Sequence, residues 1–133
     1  MTDSLAIIRF DGNGRVYGAG DTLSGEYRFN GVLPAQIKAV EVSVLWYSEG
    51  KGDEDMAVHE FWRSGPDEGE RIDPSRPAQF TTTLPNCPLS YEGLIVKIRW
   101  CVRVRAILHR GKDVVAQKSF RLGGVPAVEV SAS

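Results

Sequence analysis

The most prominent feature of the chain is a strict alternation of apolar and polar positions, which places successive side chains on opposite faces of a β-strand. The alternation is longest in Leu94–His109, where every second residue from Val96 to Leu108 is apolar. Ile37–Tyr47 shows the same pattern. A helix would scatter these positions around its axis, so both segments are predicted to be strands.

Shorter alternating segments predict further strands between turns rich in Gly, Pro, Asn and Asp. These segments are Leu5–Phe10, Thr22–Phe29, Met56–Arg63, Ala78–Leu84, Asp113–Leu122 and Val125–Val130. No segment has a sustained apolar period of about 3.6 residues, so no helix is predicted. About eight strands with one apolar and one polar face predict an all-β, antiparallel β-sandwich, with residues 1–133 forming one domain.

The composition is that of an ordinary globular protein, with 42% hydrophobic and 25% charged residues in 133. Its 16 basic and 17 acidic residues give a net charge of −1, which excludes a general attraction to nucleic acid. No apolar run approaches the ~20 residues of a membrane-spanning helix, and Met1–Ser4 lacks the basic start of a signal peptide. We therefore expect no membrane insertion and a cytoplasmic location.

The two cysteines, Cys87 and Cys101, are too few for a scaffold built on disulfides. Cys101 lies mid-strand, where a free cysteine behaves as a small apolar residue, and Cys87 lies in a loop between prolines. Two reduced thiols are favoured over one disulfide between them, although the sequence leaves both arrangements open.

Residue combinations that would indicate catalysis or metal binding are not found. His59 and His109 lie in separate predicted strands, and the cysteines form no C-x-x-C pair. Ser90 is not part of a G-x-S-x-G turn, and no glycine-rich segment precedes a helix that could receive a phosphate. We therefore expect no enzyme activity, no metal and no cofactor.

A basic stripe runs along the polar face of Leu94–His109 and is the first candidate partner-binding site. It consists of Lys97, Arg99, Arg103 and Arg105, and at ~3.3 Å per residue it spans roughly 25 Å. One interpretation is a surface for an acidic peptide or a polyanion. The other is an outer sheet face whose cations pair with cross-strand carboxylates such as Glu41 or Glu60, and the near-zero net charge favours this second interpretation.

Trp62 is the second candidate for partner binding, after the basic stripe. Trp46 and Trp100 share the apolar face of their strands and are expected in the core. In Met56–Arg63, by contrast, neither set of alternate residues is consistently apolar. Such a strand is typical of a sheet edge, where an exposed Trp62 could anchor a partner, and partly buried packing is the alternative.

Alternating strand directions would bring the loops together at two ends of the sandwich. Gly18–Asp21, Ser48–Asp55 and Pro85–Gly93 would meet at one end, and Asn30–Ala35, Ser64–Pro77 and Arg110–Lys112 at the other. The second end carries the longest loop, and loops held by a rigid scaffold are frequent recognition surfaces. This second end is therefore the first place where we expect a partner to bind.

Two stretches resemble the arrestin fold family. The first is Tyr17–Tyr27 (YGAGDTLSGEY), in which an aromatic residue precedes a Gly-Asp pair, an apolar residue, a glycine and a strand. The second runs from Phe80-Thr81-Thr82-Thr83-Leu84-Pro85 through Pro88–Gly93 (PLSYEG) into the long strand Leu94–Val104. The resemblance implies an immunoglobulin-like sandwich of the class that includes the retromer's arrestin-fold subunit and bacterial sporulation-control proteins.

The resemblance also implies a function, namely that of an adaptor or scaffold that binds proteins. Arrestins pair two sandwiches and this chain has room for one, so their phosphate-sensing polar core is not carried over. No Pro-Pro-x-Tyr motif is present. The leading hypothesis is a non-enzymatic domain that binds a segment of an unidentified protein at an open sheet edge. The alternative is a carbohydrate or small-ligand module using aromatic residues such as Trp62 and Tyr91, and formation of a homo-oligomer is left open.

Overall fold

Nine β-strands form the protein in a computed structural model that describes residues 4–12, 16–50, 54–93 and 96–123. The strands are β1 (Leu5–Phe10), β2 (Val16–Tyr17), β3 (Thr22–Asn30), β4 (Ile37–Gly50), β5 (Met56–Ser64), β6 (Ala78–Thr83), β7 (Tyr91–Glu92), β8 (Val96–Leu108) and β9 (Val114–Leu122). Two 3₁₀ turns, Pro34–Gln36 and Pro66–Glu68, lie between them. No helix in these ranges is long and apolar enough to cross a membrane.

The strands form two sheets. The small sheet has the order β1-β3-β6, and the large sheet has the order β2-β9-β8-β4-β5, with β7 pairing to β8. All ladders are antiparallel except that between β2 and β9, which is parallel. The all-β sandwich predicted from the alternating pattern is therefore confirmed, with one parallel pair added.

The predicted strand positions agree with the structure except at short or terminal elements. The prediction missed β2 and β7, because two residues are too few to show alternation. It ended the strand that begins at Ile37 at Tyr47, whereas β4 continues to Gly50 opposite Val96 of β8. The predicted strand Val125–Val130 lies outside the described residues.

The core lies between the inner faces of the two sheets. The long strands β4 and β8 contribute fully buried residues, among them Val44, Val102 and Trp100. The small sheet covers them with Leu23, Phe29 and Phe80 and other residues of β1, β3 and β6. Trp100 is buried as expected, whereas Trp46 is partly buried and packs at the margin of the core. Burial of these alternating apolar residues is the main source of stability.

The loops meet at two ends as the strand directions predict. At one end, Gly20 N–H donates to the carbonyl of Leu84 at 3.0 Å, which joins the β2–β3 and β6–β7 loops. At the other end, His109 N–H donates to the carbonyl of Gln36 at 3.0 Å. The segment 65–77 lies at this second end and docks on β3, where Phe29 N–H donates to the carbonyl of Pro74 at 2.7 Å.

Candidate protein-binding surface

The first half of the basic stripe is neutralised by carboxylates on neighbouring strands. Arg99 donates through Nε to a carboxylate oxygen of Glu49 on β4, and its Nη1 lies 3.4 Å from Glu92 Oε1 on β7. Lys97 Nζ lies 3.8 Å from Glu92 Oε2. Two carboxylates on the flanking strands thus face two cations of β8.

The second half of the stripe is also partnered. Arg103 donates through Nε and Nη2 to the side-chain oxygen of Gln117 on β9, at 3.1 and 2.9 Å. Arg105 Nε lies 3.8 Å from Asp113 Oδ2. All four stripe residues therefore lie on the outer face of β8, and each has a side-chain partner on a neighbouring strand or, for Arg105, in the turn before β9. This placement agrees with the second interpretation, a solvated sheet face.

The partners differ from the two carboxylates proposed from the sequence. Glu41 lies opposite Arg105 but pairs with Arg63 on β5, at 2.5 Å between Oε2 and Nη1. Glu60 faces the inside of the sandwich and accepts a hydrogen bond from Thr82 Oγ1 at 2.8 Å. Pairing across a sheet depends on register and on the side of the strand, and single-strand alternation supplies neither.

A β-bulge reverses the two faces of β5 halfway along its length. Val44 lies opposite Glu60, but the next residue, Leu45, lies opposite Val58, so His59 is an extra residue in the ladder. An extra residue moves every following side chain to the other face. Side chains therefore alternate regularly in each half of Met56–Arg63, but the alternation shifts by one residue at the bulge. This shift produces the mixed pattern seen in the sequence.

The bulge determines where Trp62 lies. Trp62 is opposite Val42, whose side chain is buried between the sheets. It is partly buried and packs against the core. This position corresponds to the second of the two interpretations of Trp62, partly buried packing, at the predicted sheet edge.

The outer face of β5 instead carries an apolar strip that the sequence pattern did not show. It consists of Met56, Val58 and Phe61, which are 59%, 49% and 50% exposed. All three lie opposite outward-facing residues of β4, namely Tyr47, Leu45 and Ser43. The only sign of the strip in the sequence is that the alternation of apolar and polar residues shifts by one position between Val58 and Phe61.

Side chains bridge the two sheets at both sides of the sandwich. At the β9 side, Lys118 of β9 reaches across the sheets, with Nζ 3.3 Å from the carbonyl of Ile8 and 5.3 Å from the centre of the Phe10 ring. At the β5 side, His59 Nε2 lies 2.8 Å from the carbonyl of Thr83.

Within the described residues no group of three or more His, Cys, Asp or Glu side chains is placed to hold a metal ion.

Both cysteines are free thiols. Cys87 is exposed in the β6–β7 loop. Cys101 is fully buried, although it lies on the outer face of β8 between Leu45 and Ser119. Burial raises the pKa of the Cys101 thiol to about 11, and nearby Arg103 lowers this pKa slightly.

The raised pKa of Cys101 predicts a loss of stability in alkaline solution. The folded protein holds the thiol proton more tightly than the unfolded chain does, so the protonated thiol favours the folded state. This contribution to stability is fully present below a pH of about 8.5. It is lost as the pH rises toward 11. We expect the free energy of unfolding to fall between pH 8 and 10.5 by on the order of 2 kcal/mol more in the wild type than in Cys101→Ala. Guanidinium unfolding curves at both pH values measure the difference, and equal losses in the two proteins would contradict the expectation.

Comparison with known proteins identifies the fold of this chain. No protein-family model matches the sequence, and no curated protein matches it. Among solved structures, the chain is similar to Spo0M, a sporulation control protein from Bacillus subtilis, with a TM-score of 0.65 over 97% of this chain and 17% identical residues. The fold is arrestin-like. The chain spans about half of Spo0M, 53% of its length.

The arrestin-like fold confirms the resemblance drawn from the stretches that begin at Tyr17 and Phe80. Tyr17 forms β2 and packs edge-on against Phe120, with ring centres 5.7 Å apart. Asp21 accepts a hydrogen bond from Gly18 N–H at 2.7 Å, which closes the turn into β3. In the second stretch, Ser90 Oγ accepts from Leu122 N–H at 2.8 Å. The residues that carry the resemblance thus shape the loops of the sandwich.

Proposed function

We propose that this arrestin-like sandwich is a non-enzymatic adaptor or scaffold domain that binds an extended segment of a partner protein at the outer edge of β5. The observation that carries the proposal is the apolar strip Met56, Val58 and Phe61, which is about half exposed on the last strand of the large sheet. Large apolar side chains grouped on a protein surface are typical of protein interaction sites.

Strand addition is the binding mode that fits this edge. Within the described residues β5 pairs only with β4, so its other edge offers unpaired backbone groups. An added strand would satisfy these groups, and its own apolar side chains at two-residue spacing would cover the strip. The proposed partner segment is therefore extended and carries large apolar residues at alternate positions.

The other predicted contact residues would have a smaller role. The cations of the basic stripe already have side-chain partners, and exchanging one exposed partner for another yields little free energy. Trp62 lies beneath the edge, where a small cavity of about 210 Å³ between β5 and β6 reaches its ring. A partner side chain entering from the edge would contact Trp62 there.

We also propose a cytoplasmic location. Both thiols are free, and an exposed Cys87 is compatible with a reducing compartment. Secreted domains of this size commonly use their cysteines in disulfides.

A pull-down from a lysate of the source organism tests the proposal. The variant Val58→Glu/Phe61→Glu places two charges on the apolar strip and is expected to weaken partner binding at least about tenfold, because exposed anchors of this kind contribute most of an interface's energy. Both side chains are about half exposed, so stability should change by less than about 1 kcal/mol. Recovered proteins are identified by mass spectrometry, and their affinities are measured by calorimetry.

Two control variants locate the binding surface. Val115→Glu adds a charge at a residue of β9 that is 47% exposed, and it should bind the partner like the wild type. Arg99→Glu/Arg103→Glu reverses the centre of the basic stripe and should also bind normally. Loss of binding only in the stripe variant would move the site to the stripe. If the wild type recovers no partner that binds in calorimetry, the adaptor proposal is wrong.

Light scattering on the same proteins tests whether a second copy occupies the β5 edge. A dimer that is present in the wild type and lost in Val58→Glu/Phe61→Glu would identify the partner segment as β5 of another molecule.

A further inference from the structure

A cavity of about 440 Å³ lies beneath the segment 65–77, at the end of the sandwich opposite the β6–β7 loop. Its walls come from the end of β3, from Val40 of β4 and from the loop between Glu70 and Ala78. This volume is within the range of small-molecule sites in proteins, which is about 300–1,000 Å³. The cavity is separate from the apolar strip on β5.

The loop that covers the cavity is anchored at both ends. Gly65 has a φ of +129°, and a Cβ atom there would lie 2.9 Å from Ala39 Cα, so the chain leaves β5 in direct contact with β4. At the other end, the carbonyl of Pro74 accepts the hydrogen bond from Phe29 N–H on β3. The cavity is therefore a feature of the folded loop and does not need a ligand to form.

Three arginines surround the cavity, namely Arg28 on β3 and Arg71 and Arg76 on the loop. None of their guanidinium groups forms an ion pair or hydrogen bond with another described residue. This distinguishes them from the basic stripe, where every cation has a partner. Guanidinium groups match carboxylate and phosphate oxygens with paired, charge-assisted hydrogen bonds.

Two carboxylates also line the cavity, and they are not equivalent. Asp73 accepts hydrogen bonds at Oδ1 from the Ser75 backbone N–H and hydroxyl, at 3.1 and 2.8 Å, so it is occupied within its own turn. The Glu70 carboxylate has no such partner among the described residues, and its charge is one cause of the raised pKa of Tyr27, after burial of the phenol. The cavity lining thus carries three positive and two negative side chains, with one carboxylate already engaged.

The floor of the cavity is apolar. Phe29 and Val40 are buried there, Ile72 and Ala78 are half-buried, and Tyr27 lies edge-on to Phe29 with ring centres 6.1 Å apart. A ligand that fills this space would therefore have an apolar part below a charged group. A second cavity of about 640 Å³ on the other side of residues 70–73 has Arg71 as its one cationic lining residue among those described.

We propose that the cavity beneath segment 65–77 binds a small organic anion whose carboxylate or phosphate oxygens contact Arg28, Arg71 and Arg76 and whose apolar part packs on Phe29 and Val40. This site is independent of the proposed partner surface on β5. The arginines at the rim favour an anion, and the apolar floor favours a ligand with an apolar part beneath its charged group.

Two-dimensional amide NMR titrations of the full chain test the site with three probes that share a phenylalkyl body. 4-Phenylbutyrate supplies a carboxylate, 2-phenylethyl phosphate supplies a phosphate, and 4-phenylbutylamine supplies a positive charge. At least one of the anions is expected to shift amides in segment 65–78 and at the end of β3 saturably, and the amine is not. The stronger anion identifies the natural charged group.

Variants separate an anion site from general surface binding. Arg71→Gln/Arg76→Gln is expected to weaken binding of the stronger anion at least about tenfold, since it removes the charge-assisted hydrogen bonds of two guanidinium groups. Glu70→Gln removes the one unengaged carboxylate and should tighten binding severalfold, an effect that damage to the loop would not produce. Arg103→Gln, in the basic stripe, should leave binding unchanged, and circular dichroism verifies that each variant is folded.

Three results would overturn the inference. They are no saturable shifts with either anion at millimolar concentration, equal shifts with the amine, or an affinity that is unchanged in Arg71→Gln/Arg76→Gln. None of these would affect the β5 proposal, because the Val58→Glu/Phe61→Glu test does not involve the cavity.

Discussion

Replacing Gly25 with alanine is expected to lower the free energy of unfolding by about 3 kcal/mol, at the upper end for overpacking. Gly25 lies in β3 between Phe10 of β1 and Phe80 of β6. A Cβ atom there would lie 2.3 Å from the carbonyl oxygen of Arg9, 2.9 Å from the Phe80 ring and 3.1 Å from Phe10 Cα. Two of these atoms are backbone, so relief would require the strands of the small sheet to separate.

Gly18→Ala is the matched control for Gly25→Ala. Gly18 belongs to the same YGAGDTLSGEY stretch, but a Cβ atom there would make ordinary contacts, with the Asp21 carboxylate at 3.5 Å. Its expected effect is within about 0.5 kcal/mol. Urea unfolding followed by circular dichroism measures both variants. If Gly25→Ala is as stable as Gly18→Ala, the close packing of β3 against β1 and β6 is wrong.

Trp100→Ala is expected to lower the free energy of unfolding by about 3–5 kcal/mol, a large part of the total for a domain of this size. Trp100 is 1% exposed and is the largest of the fully buried side chains. Its ring packs 5.8 Å from Phe120 and 6.1 Å from His59, measured between ring centres. Its Nε1–H donates to the carbonyl of Pro88 at 2.7 Å, so the substitution also removes the link between the core and the β6–β7 loop.

Trp100→Phe separates the two contributions of this side chain. Phenylalanine keeps most of the ring packing but cannot donate to Pro88, so a smaller loss of about 2 kcal/mol is expected. Guanidinium unfolding is followed by far-UV circular dichroism, because removal of a tryptophan alters the fluorescence signal. Equal losses in the two variants would show that the hydrogen bond to Pro88, and not packing, is the main contribution of Trp100.

Alternation in the long strands was sufficient to predict the central part of the large sheet. From Val40 to Trp46 in β4 and from Trp100 to Ala106 in β8, alternate residues are apolar and face the other sheet. The polar face of β8 was likewise assigned correctly to the outside of the sandwich. Its exception, Cys101, was expected to behave as a small apolar residue, and it is fully buried on that face.

Prediction was less accurate where neighbouring strands determine the outcome. The bulge at His59 is visible only in the ladder between β4 and β5. Because it reverses the face of every residue after it, Trp62 lies inside and Phe61 outside. The sequence predicted which loops lie at each end of the sandwich, but whether the Arg28, Arg71 and Arg76 guanidinium groups find partners depends on how the loop folds onto β3.

The sequence by itself determined that this protein is an all-β sandwich. It also showed a Tyr17–Tyr27 stretch that resembles arrestins, and it showed no recognisable catalytic motif. Alternation and turn residues act over a few positions, so they can be recognised along one chain. The tertiary structure decided which cations are neutralised, which face of β5 is exposed and that a cavity forms beneath segment 65–77. Each of these depends on register between strands that are distant in sequence, and register is set by the packing of both sheets together.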